Sequence, residues 1–329
     1  MSSIREIALR AGVSEATVSR VLSQDQSFAV SYETRKAIIQ AAAQLNYVPR
    51  KKSGARESKA TVYLVHRPSG KESAGDTFYV EIKSGLEDEG NKRGYDIYSI
   101  NNLEQIRKRD MVHADGLIAL GNFGDQEMEM IRSLAASLVF IDAHLKNDDT
   151  VNLESERAVA DILGHLYSLG HRKIAFLGAR DESDTDEPEI RERYVHEFLK
   201  VKKCWNPQFI KIGKFDVHSG YRLTKELLER DEHPTALFLI DDKLAIGAYR
   251  AIREAGLRIP DDISVIGYSD FPVSKYLIPA LTTYRVEFGE ITEKAFALLQ
   301  EQREGRIRVK NETVAGSIVV RESTGPVQA

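Results

Sequence analysis

Residues 3–23 read SIREIALRAGVSEATVSRVLS, a pattern that predicts two short helices joined by a tight turn. Ser3 is a suitable N-cap for the first helix, because Glu6 follows three residues later as in a capping box. Gly12 is expected to end that helix, since glycine adopts the left-handed conformation that the turn needs. Ser14 then caps a second helix whose apolar positions recur on one face. Two small helices joined in this way predict a helix-turn-helix unit, whose second helix enters the major groove of DNA.

The second helix begins with small and polar side chains, as a helix end that enters a groove should. Glu15 and Ala16 are placed to set base specificity, and a glutamate can accept a hydrogen bond from a cytosine amino group. A helical hairpin at the edge of a core is the alternative, and the polar start of the helix argues against it. The predicted DNA-contacting residues of this helix are Ser14, Glu15, Ala16, Thr17, Ser19 and Arg20.

A third helix is expected to begin at Ser31 and to end before Pro49, because the residue before a proline disfavours the helical conformation. Residues 50–59 are polar and basic, which is typical of a linker. The sequence therefore predicts a helical head over residues 1–49, a linker over 50–59 and a body over 60–329. In the linker, the side chains expected to contact DNA phosphates are Arg50, Lys51, Lys52 and Arg56.

Charge is distributed unevenly along the chain. Residues 1–59 hold ten Lys or Arg and five Asp or Glu, although the whole chain has a formal net charge of −4. A basic head on an acidic body indicates that the head meets phosphate. One cysteine rules out an internal disulfide, and there is no signal peptide or spanning apolar run, so a cytoplasmic protein without a membrane segment is expected.

The body alternates apolar strands with amphipathic helices. Strands are predicted at 61–65, 95–100, 116–120, 138–141, 173–177, 209–212, 236–240 and 264–266, and helices at 78–93, 155–169, 191–201, 218–230 and 243–255. This alternation is typical of parallel sheets covered by helices on both faces. More strands than one sheet comfortably holds predict two similar subdomains with a cleft between them.

The chain resembles the LacI/GalR family of repressors along nearly its whole length. The resemblance lies in AGVS at 11–14 and TVSRVL at 17–22, and later in SLGHRKIAFLG at 168–178, GLRIPDDISVIGY at 256–268 and PALTT at 279–283. It implies an all-α helix-turn-helix head on an α/β body of two parallel-sheet subdomains like the periplasmic binding proteins. It also implies crossovers between the subdomains near residues 155, 286 and 318.

The linker departs from the family pattern at one position. In the family, a leucine two residues after an Ala-Arg pair wedges into the minor groove. This chain has the pair, Ala55-Arg56, but Ser58 stands at the leucine position. We therefore expect weaker kinking of DNA than in the family.

Ligands of open α/β sheets bind beyond the carboxyl ends of the strands, which places candidate residues in those loops. By resemblance, Arg191 matches an effector-contacting arginine, although Tyr194-Val195 replace the usual Gly-Phe. Asp241 stands in place of an asparagine, and Ser269 in place of an acidic or amide residue, whereas Asp242 is interpreted as a cap for the helix at 243. The predicted effector-binding residues are Phe78, Tyr79, Asp142, Arg191, Asp241 and Ser269.

Catalytic and metal-binding patterns are not found in the sequence. His165 and His171 are badly spaced for a metal, and residues 121–124 lack the lysine of a phosphate loop. The sequence contains neither a nucleophile elbow nor a zinc-protease motif, so no cofactor and no enzyme activity are expected.

The resemblance implies a homodimer that binds double-stranded operator DNA and responds to a small-molecule sugar. Local detail at 213–221 and 274–276 looks most like repressors of galactoside-utilisation operons. We expect a repressor that the sugar releases from its operator. The alternatives are a purine- or phosphosugar-responsive regulator, an activator, a sugar-acting enzyme with a DNA-binding head, and a structural nucleoid protein.

Overall fold

Three helices form the N-terminal part of the chain in a computed structural model, which describes residues 4–22, 30–45, 59–66, 77–100, 114–121, 123–180 and 188–328. They are α1 (Ile4–Ala11), α2 (Glu15–Leu22) and α3 (Tyr32–Gln44). Their inward faces share one core, which consists of Ile7, Ala8, Val18, Val21, Ile38, Ala41 and Ala42.

The turn between α1 and α2 follows the predicted chemistry. Gly12 has a φ of +68°, and a side chain there would be strained. The Ser14 hydroxyl accepts a hydrogen bond from the backbone N–H of Thr17 at 3.1 Å. In the same way the Ser31 hydroxyl accepts from the N–H of Thr34 at 3.2 Å. Both serine caps are therefore confirmed, whereas the cap predicted at Ser3 lies outside the described residues.

The described residues from 59 onward form two sheets and the helices between their strands. The elements in order are β1 (Thr61–His66), α4 (Thr77–Lys92), β2 (Asp96–Ile100), β3 (Gly116–Leu120), α5 (Asp125–Leu134), β4 (Leu138–Ile141), β5 (Asp149–Leu153), α6 (Ser155–Ser168), β6 (Ile174–Ala179), α7 (Ile190–Val201), β7 (Ile210–Gly213), α8 (Val217–Leu228), β8 (Ala236–Leu239), α9 (Asp242–Glu254), β9 (Ser264–Ser269), β10 (Thr282–Arg285), α10 (Phe288–Arg303), β11 (Asn311–Val314) and β12 (Ser317–Val319). Short 3-10 turns lie at Pro207–Phe209 and Pro272–Lys275.

Among the described residues each sheet has six strands, and the two sheets share the same spatial order of strands. The first runs β11-β5-β4-β3-β1-β2 and the second β12-β10-β9-β8-β6-β7. In the first sheet, each neighbouring pair in the run β5-β4-β3-β1-β2 is parallel, and so is each pair in the run β10-β9-β8-β6-β7 of the second. Strand β12 pairs with β10 in the antiparallel sense. Strands β3, β4, β6, β8 and β9 are buried along their whole length, because helices cover both faces of a parallel sheet. The predicted architecture of two parallel-dominated sheets is confirmed.

The chain divides into two compact units. The first comprises residues 1–68, 81–152 and 288–312, and the second comprises 69–80, 153–287 and 313–329. Among the described residues, every helix is too short or too polar to cross a membrane.

Candidate functional site

Helix α2 presents one apolar and one polar face. Val18 and Val21 are buried in the core of the three helices. The predicted contact residues Ser14, Glu15, Ala16, Ser19 and Arg20 are exposed, and Thr17 is half-buried. The hydroxyls of Ser14 and Thr17 lie 2.8 Å apart, so this pair fixes the start of the helix as well as lining its exposed end. Helix α2 therefore exposes small and polar side chains at its start, as predicted for contacts in a DNA groove. The predicted linker contacts Arg50, Lys51, Lys52 and Arg56, and the departure at Ser58, lie outside the described residues.

Arg191 lies at the start of α7, among groups from three parts of the second unit. Its Nε donates to Oε1 of Glu189 at 2.8 Å, and its Nη1 donates to the carbonyl of Ile240 at 3.3 Å. The guanidinium carbon lies 4.7 Å from the centre of the Tyr268 ring. These contacts hold the planar guanidinium in one orientation at the carboxyl ends of β8 and β9.

Asp241 lies two residues after the end of β8 and caps α9. Its Oδ1 accepts from the backbone N–H of Lys243 at 2.7 Å, and its side chain is almost fully buried. The sequence-based interpretation that Asp242 caps this helix is therefore wrong. The chain is still extended at Asp241, so the capping position falls one residue earlier than expected.

Asp242 is instead a fully buried carboxyl group. It accepts hydrogen bonds from the Phe271 N–H at 2.9 Å, the Ser274 hydroxyl at 2.7 Å and the Thr283 hydroxyl at 2.7 Å. Burial raises the pKa of Asp242 to about 7, although these three hydrogen bonds favour the ionised form and act in the opposite direction.

Ser269 ends β9 and is buried, with a φ of +109°. Tyr268, the residue before it, lies under Arg191. The structure therefore brings three predicted effector residues, Arg191, Asp241 and Ser269, to one edge of the second sheet. Ile240 and Tyr268 link them.

The other predicted effector residues lie elsewhere. Asp142 follows β4 in the first unit, has a φ of +59° and donates its backbone N–H to the carbonyl of Val151 at 3.0 Å. Phe78 and Tyr79 occupy the first turn of α4, with ring centres 5.4 Å apart in an edge-to-face arrangement. The Asp142 contact joins the end of β4 to β5, and the Phe78–Tyr79 contact lies within α4.

Several residues of this edge were missed by the sequence analysis. Glu189 caps α7 by accepting from the Arg191 N–H at 2.9 Å, a role that its position two residues before a predicted helix could have indicated. Arg180, at the end of β6, donates to Glu192 at 2.7 Å. Tyr268 belongs to a recognised motif at 256–268, but nothing in the sequence indicates that its ring contacts an arginine.

His165 and His171 of the second unit have structural partners. His171 is buried and bonds the hydroxyls of Thr235 and Ser264, each at 3.0 Å, and burial lowers its pKa. His165 bonds the Thr324 hydroxyl at 3.0 Å. Within the described ranges, no three His, Cys, Asp or Glu side chains cluster as a metal site would require.

A helix-turn-helix head followed by two parallel-dominated sheets, with polar side chains gathered at strand ends, defines a class of DNA-binding regulators that carry a ligand-binding body. Comparison with known proteins agrees. A model of the bacterial regulatory proteins of the lacI family matches residues 3–50, and a model of a periplasmic binding protein-like domain matches residues 163–324. The chain belongs to the LacI family of bacterial transcriptional regulators.

Its relatives match over nearly their full length. The HTH-type transcriptional regulator GalR of Lacticaseibacillus casei is 33% identical over 307 residues, which cover 91% of this chain and 92% of the relative. The HTH-type transcriptional regulator GanR of Bacillus subtilis is 32% identical over 335 residues, which cover 98% of this chain and 99% of the relative. The structure of a lac repressor dimer bound to operator and the anti-inducer ONPF matches with a TM-score of 0.70 and 25% identity. The match covers 98% of this chain and 99% of the repressor chain.

Proposed function

We propose that this protein is a homodimeric repressor of a galactoside-utilisation operon, and that a galactose-containing sugar releases it from its operator. It acts by binding, without catalysis, in the cytoplasm. The head is assigned to residues 1–49, the linker to 50–59 and the body to 60–329. Operator binding as a dimer is carried over from the lac repressor relative, whose structure is a dimer on operator DNA.

The observation that carries the proposal is the fixed guanidinium of Arg191. It lies on the ring of Tyr268, the residue before Ser269, and donates to the carbonyl of Ile240, the residue before Asp241. A planar donor, a carboxylate and a hydroxyl are the groups that recognise neighbouring sugar hydroxyls, and an aromatic ring provides an apolar surface. We assign sugar contacts to all three residues. Phe78, Tyr79 and Asp142 remain proposed contacts that rest on their positions after strands.

The charge balance at this edge favours a neutral sugar over a phosphosugar. Arg180 pairs with Glu192 and Arg191 with Glu189. Arg285 and Arg321 share Asp270. Together with Asp241, these carboxylates equal the four arginines in number, so a phosphate would add about two negative charges to a balanced group. The preference for galactosides rests on the sequence detail at 213–221 and 274–276.

For operator recognition we assign base contacts to Glu15 and Ala16, supported by Ser14, Thr17, Ser19 and Arg20. These side chains share the polar face of α2. The linker side chains Arg50, Lys51, Lys52 and Arg56 are assigned to phosphates. Ser58 in place of a leucine leads us to expect weak kinking of the bound DNA.

A two-part experiment tests the proposal. The full chain first selects its preferred duplex from a random-sequence DNA pool, and its melting temperature is then measured with galactose, lactose, melibiose, hypoxanthine and glucose 6-phosphate. A galactoside should raise the melting temperature by mass action and release the selected duplex. A melting-temperature shift with only the purine or the phosphosugar would refute a galactoside as the effector. Tighter DNA binding in the presence of the sugar would refute the proposed release from the operator.

Arg191→Ala tests the site itself. This variant should bind the galactoside at least about tenfold more weakly, because a charge-assisted hydrogen bond is lost, and should bind the selected duplex as the parent protein does. Arg193→Ala is the matched control, since Arg193 is an exposed arginine of the same helix. Unchanged sugar affinity in Arg191→Ala would remove Arg191 from the site.

A further inference from the structure

Two carboxyl groups hold the loop that follows β9. Ser269 and Asp270 have φ values of +109° and +55°, which side-chain-bearing residues adopt only when their surroundings enforce them. On one side of the loop, Asp242 accepts from the Phe271 N–H, the Ser274 hydroxyl and the Thr283 hydroxyl, as described above. The conformation of Ser269 therefore depends on the residues that follow it.

On the other side, Asp270 bridges two arginines. Its Oδ2 accepts from Nε of Arg285 at 2.9 Å, and its Oδ1 accepts from Nη2 of Arg321 at 2.5 Å. The Asp270 side chain is 4% exposed and that of Arg321 is 13% exposed. Arg321 also donates through Nη1 to the carbonyl of Leu281 at 2.7 Å. A buried carboxylate with one arginine on each oxygen is a rigid junction.

The two arginines lie on the segments of the second unit that lead to the first unit and return from it. Arg285 is the last residue of β10, and the chain passes into the first unit between 287 and 288. Arg321 follows β12, in the stretch that re-enters the second unit at 313. Asp270 therefore ties together an outgoing and a returning segment of the chain, one residue away from Ser269.

We propose that Asp270 couples sugar binding to DNA release, an inference that rests on the function proposed above. A sugar that hydrogen-bonds Ser269 further stabilises the backbone conformation of the Ser269–Asp270 pair. It thereby stabilises the junction in which Asp270 holds Arg285 and Arg321. Asp270 acts as a positioning residue and does not contact the sugar. Coupling of this kind is a free energy shared by two ligands, and each ligand changes the affinity of the other by the same factor.

Arg285→Gln and Arg321→Gln test the inference in the full chain. The dissociation constant of lactose is measured for the free protein and for the protein saturated with its selected duplex, and the ratio of the two is the coupling factor. In each variant the free-protein constant should stay within about threefold of the parent, while the coupling factor falls at least about fivefold. Arg258→Gln is the matched control, because Arg258 also pairs with an aspartate of the second unit but is 67% exposed. It should keep the parent coupling factor.

Each outcome separates the two claims. A parent protein that binds lactose with the same constant with and without DNA refutes the proposed function, and the inference with it. A parent factor above about tenfold that both glutamine variants retain refutes only the role of Asp270. Equal loss of coupling in Arg258→Gln would also refute it. If Arg321→Gln unfolds, as its low exposure allows, Arg285→Gln decides alone, because Arg285 is 43% exposed and its loss leaves Arg321 paired.

Discussion

Asp242→Asn should make the second unit less sensitive to pH. In the unfolded chain this carboxyl group titrates near its ordinary pKa of 3.8, whereas in the fold burial raises its pKa to about 7. Between these values the folded protein keeps a proton that the unfolded chain releases. The stabilisation from that proton is complete below pH 3.8 and is lost as the pH rises through 7. Asparagine at this position does not titrate, so the variant lacks this contribution.

The size of the effect follows from the two pKa values. Proton linkage predicts that the parent protein loses about 2–3 kcal/mol of unfolding free energy relative to Asp242→Asn between pH 5 and pH 8, most of it below pH 7. The absolute difference at any one pH also includes hydrogen bonds that asparagine replaces imperfectly. Comparing the parent–variant difference in unfolding free energy at several pH values cancels that constant term and leaves the contribution of the titration.

Trp205 makes the assay specific to the second unit. It is the single tryptophan of the chain and lies within residues 153–287. Urea unfolding followed by its fluorescence at pH 5, 6, 7 and 8 gives the free energy of that unit for the parent and the variant.

The control for this assay is Asp262→Asn. Asp262 is a surface carboxylate whose pKa the Arg258 side chain lowers, so it stays ionised over this range. The difference in unfolding free energy between Asp262→Asn and the parent should stay constant with pH. If the difference for Asp242→Asn also stays constant within about 0.5 kcal/mol, Asp242 is ionised throughout and its three hydrogen bonds outweigh its burial.

Three further predictions concern the head and the packing of the body. Ser14→Ala removes the hydrogen bond to the Thr17 N–H and should cost the head about 1 kcal/mol of stability; an unchanged melting curve of a head fragment would refute this. Gly247→Ala places a Cβ 2.0 Å from the Val217 carbonyl oxygen and should destabilise the second unit by about 1–3 kcal/mol or more in the Trp fluorescence assay. Unchanged stability would refute the claim that α8 and α9 need a glycine at this contact. Glu15→Gln should change the base preferred at one position of the selected DNA, and an identical selected sequence would exclude Glu15 from base readout.

The strands of the sheet centres could be predicted because burial on both faces gives them continuous apolar runs. Gly116–Leu120 and Leu138–Ile141 begin and end where the sequence predicts. Helix α10 was missed although its buried residues recur at a helical period. Strands β11 and β12 were missed for a physical reason, since they are four and three residues long and mostly not buried.

The candidate site shows a similar limit. Arg191 was found by resemblance, but its partners Ile240 and Tyr268 are 49 and 77 positions away, and only the folded sheet brings them to it. Asp241 and Asp242 are chemically identical neighbours in the sequence. Which of them caps α9 and which accepts hydrogen bonds from the loop after β9 depends on where the chain leaves β8, and that is fixed by pairing with the neighbouring strands.

The strand order has a consequence for the growing polypeptide. Strands β11 and β12 are edge strands of different sheets, and both come from residues 311–319. Neither sheet is complete until the ribosome has released this segment, whereas the core of the head lies wholly within residues 7–42. Since N-terminal domains fold first during synthesis, the three helices form while both sheets still lack a strand. A chain cut before residue 311 would therefore retain the complete core of the head and lack an edge strand in each sheet, so its DNA-reading part would be made without the part proposed to control it.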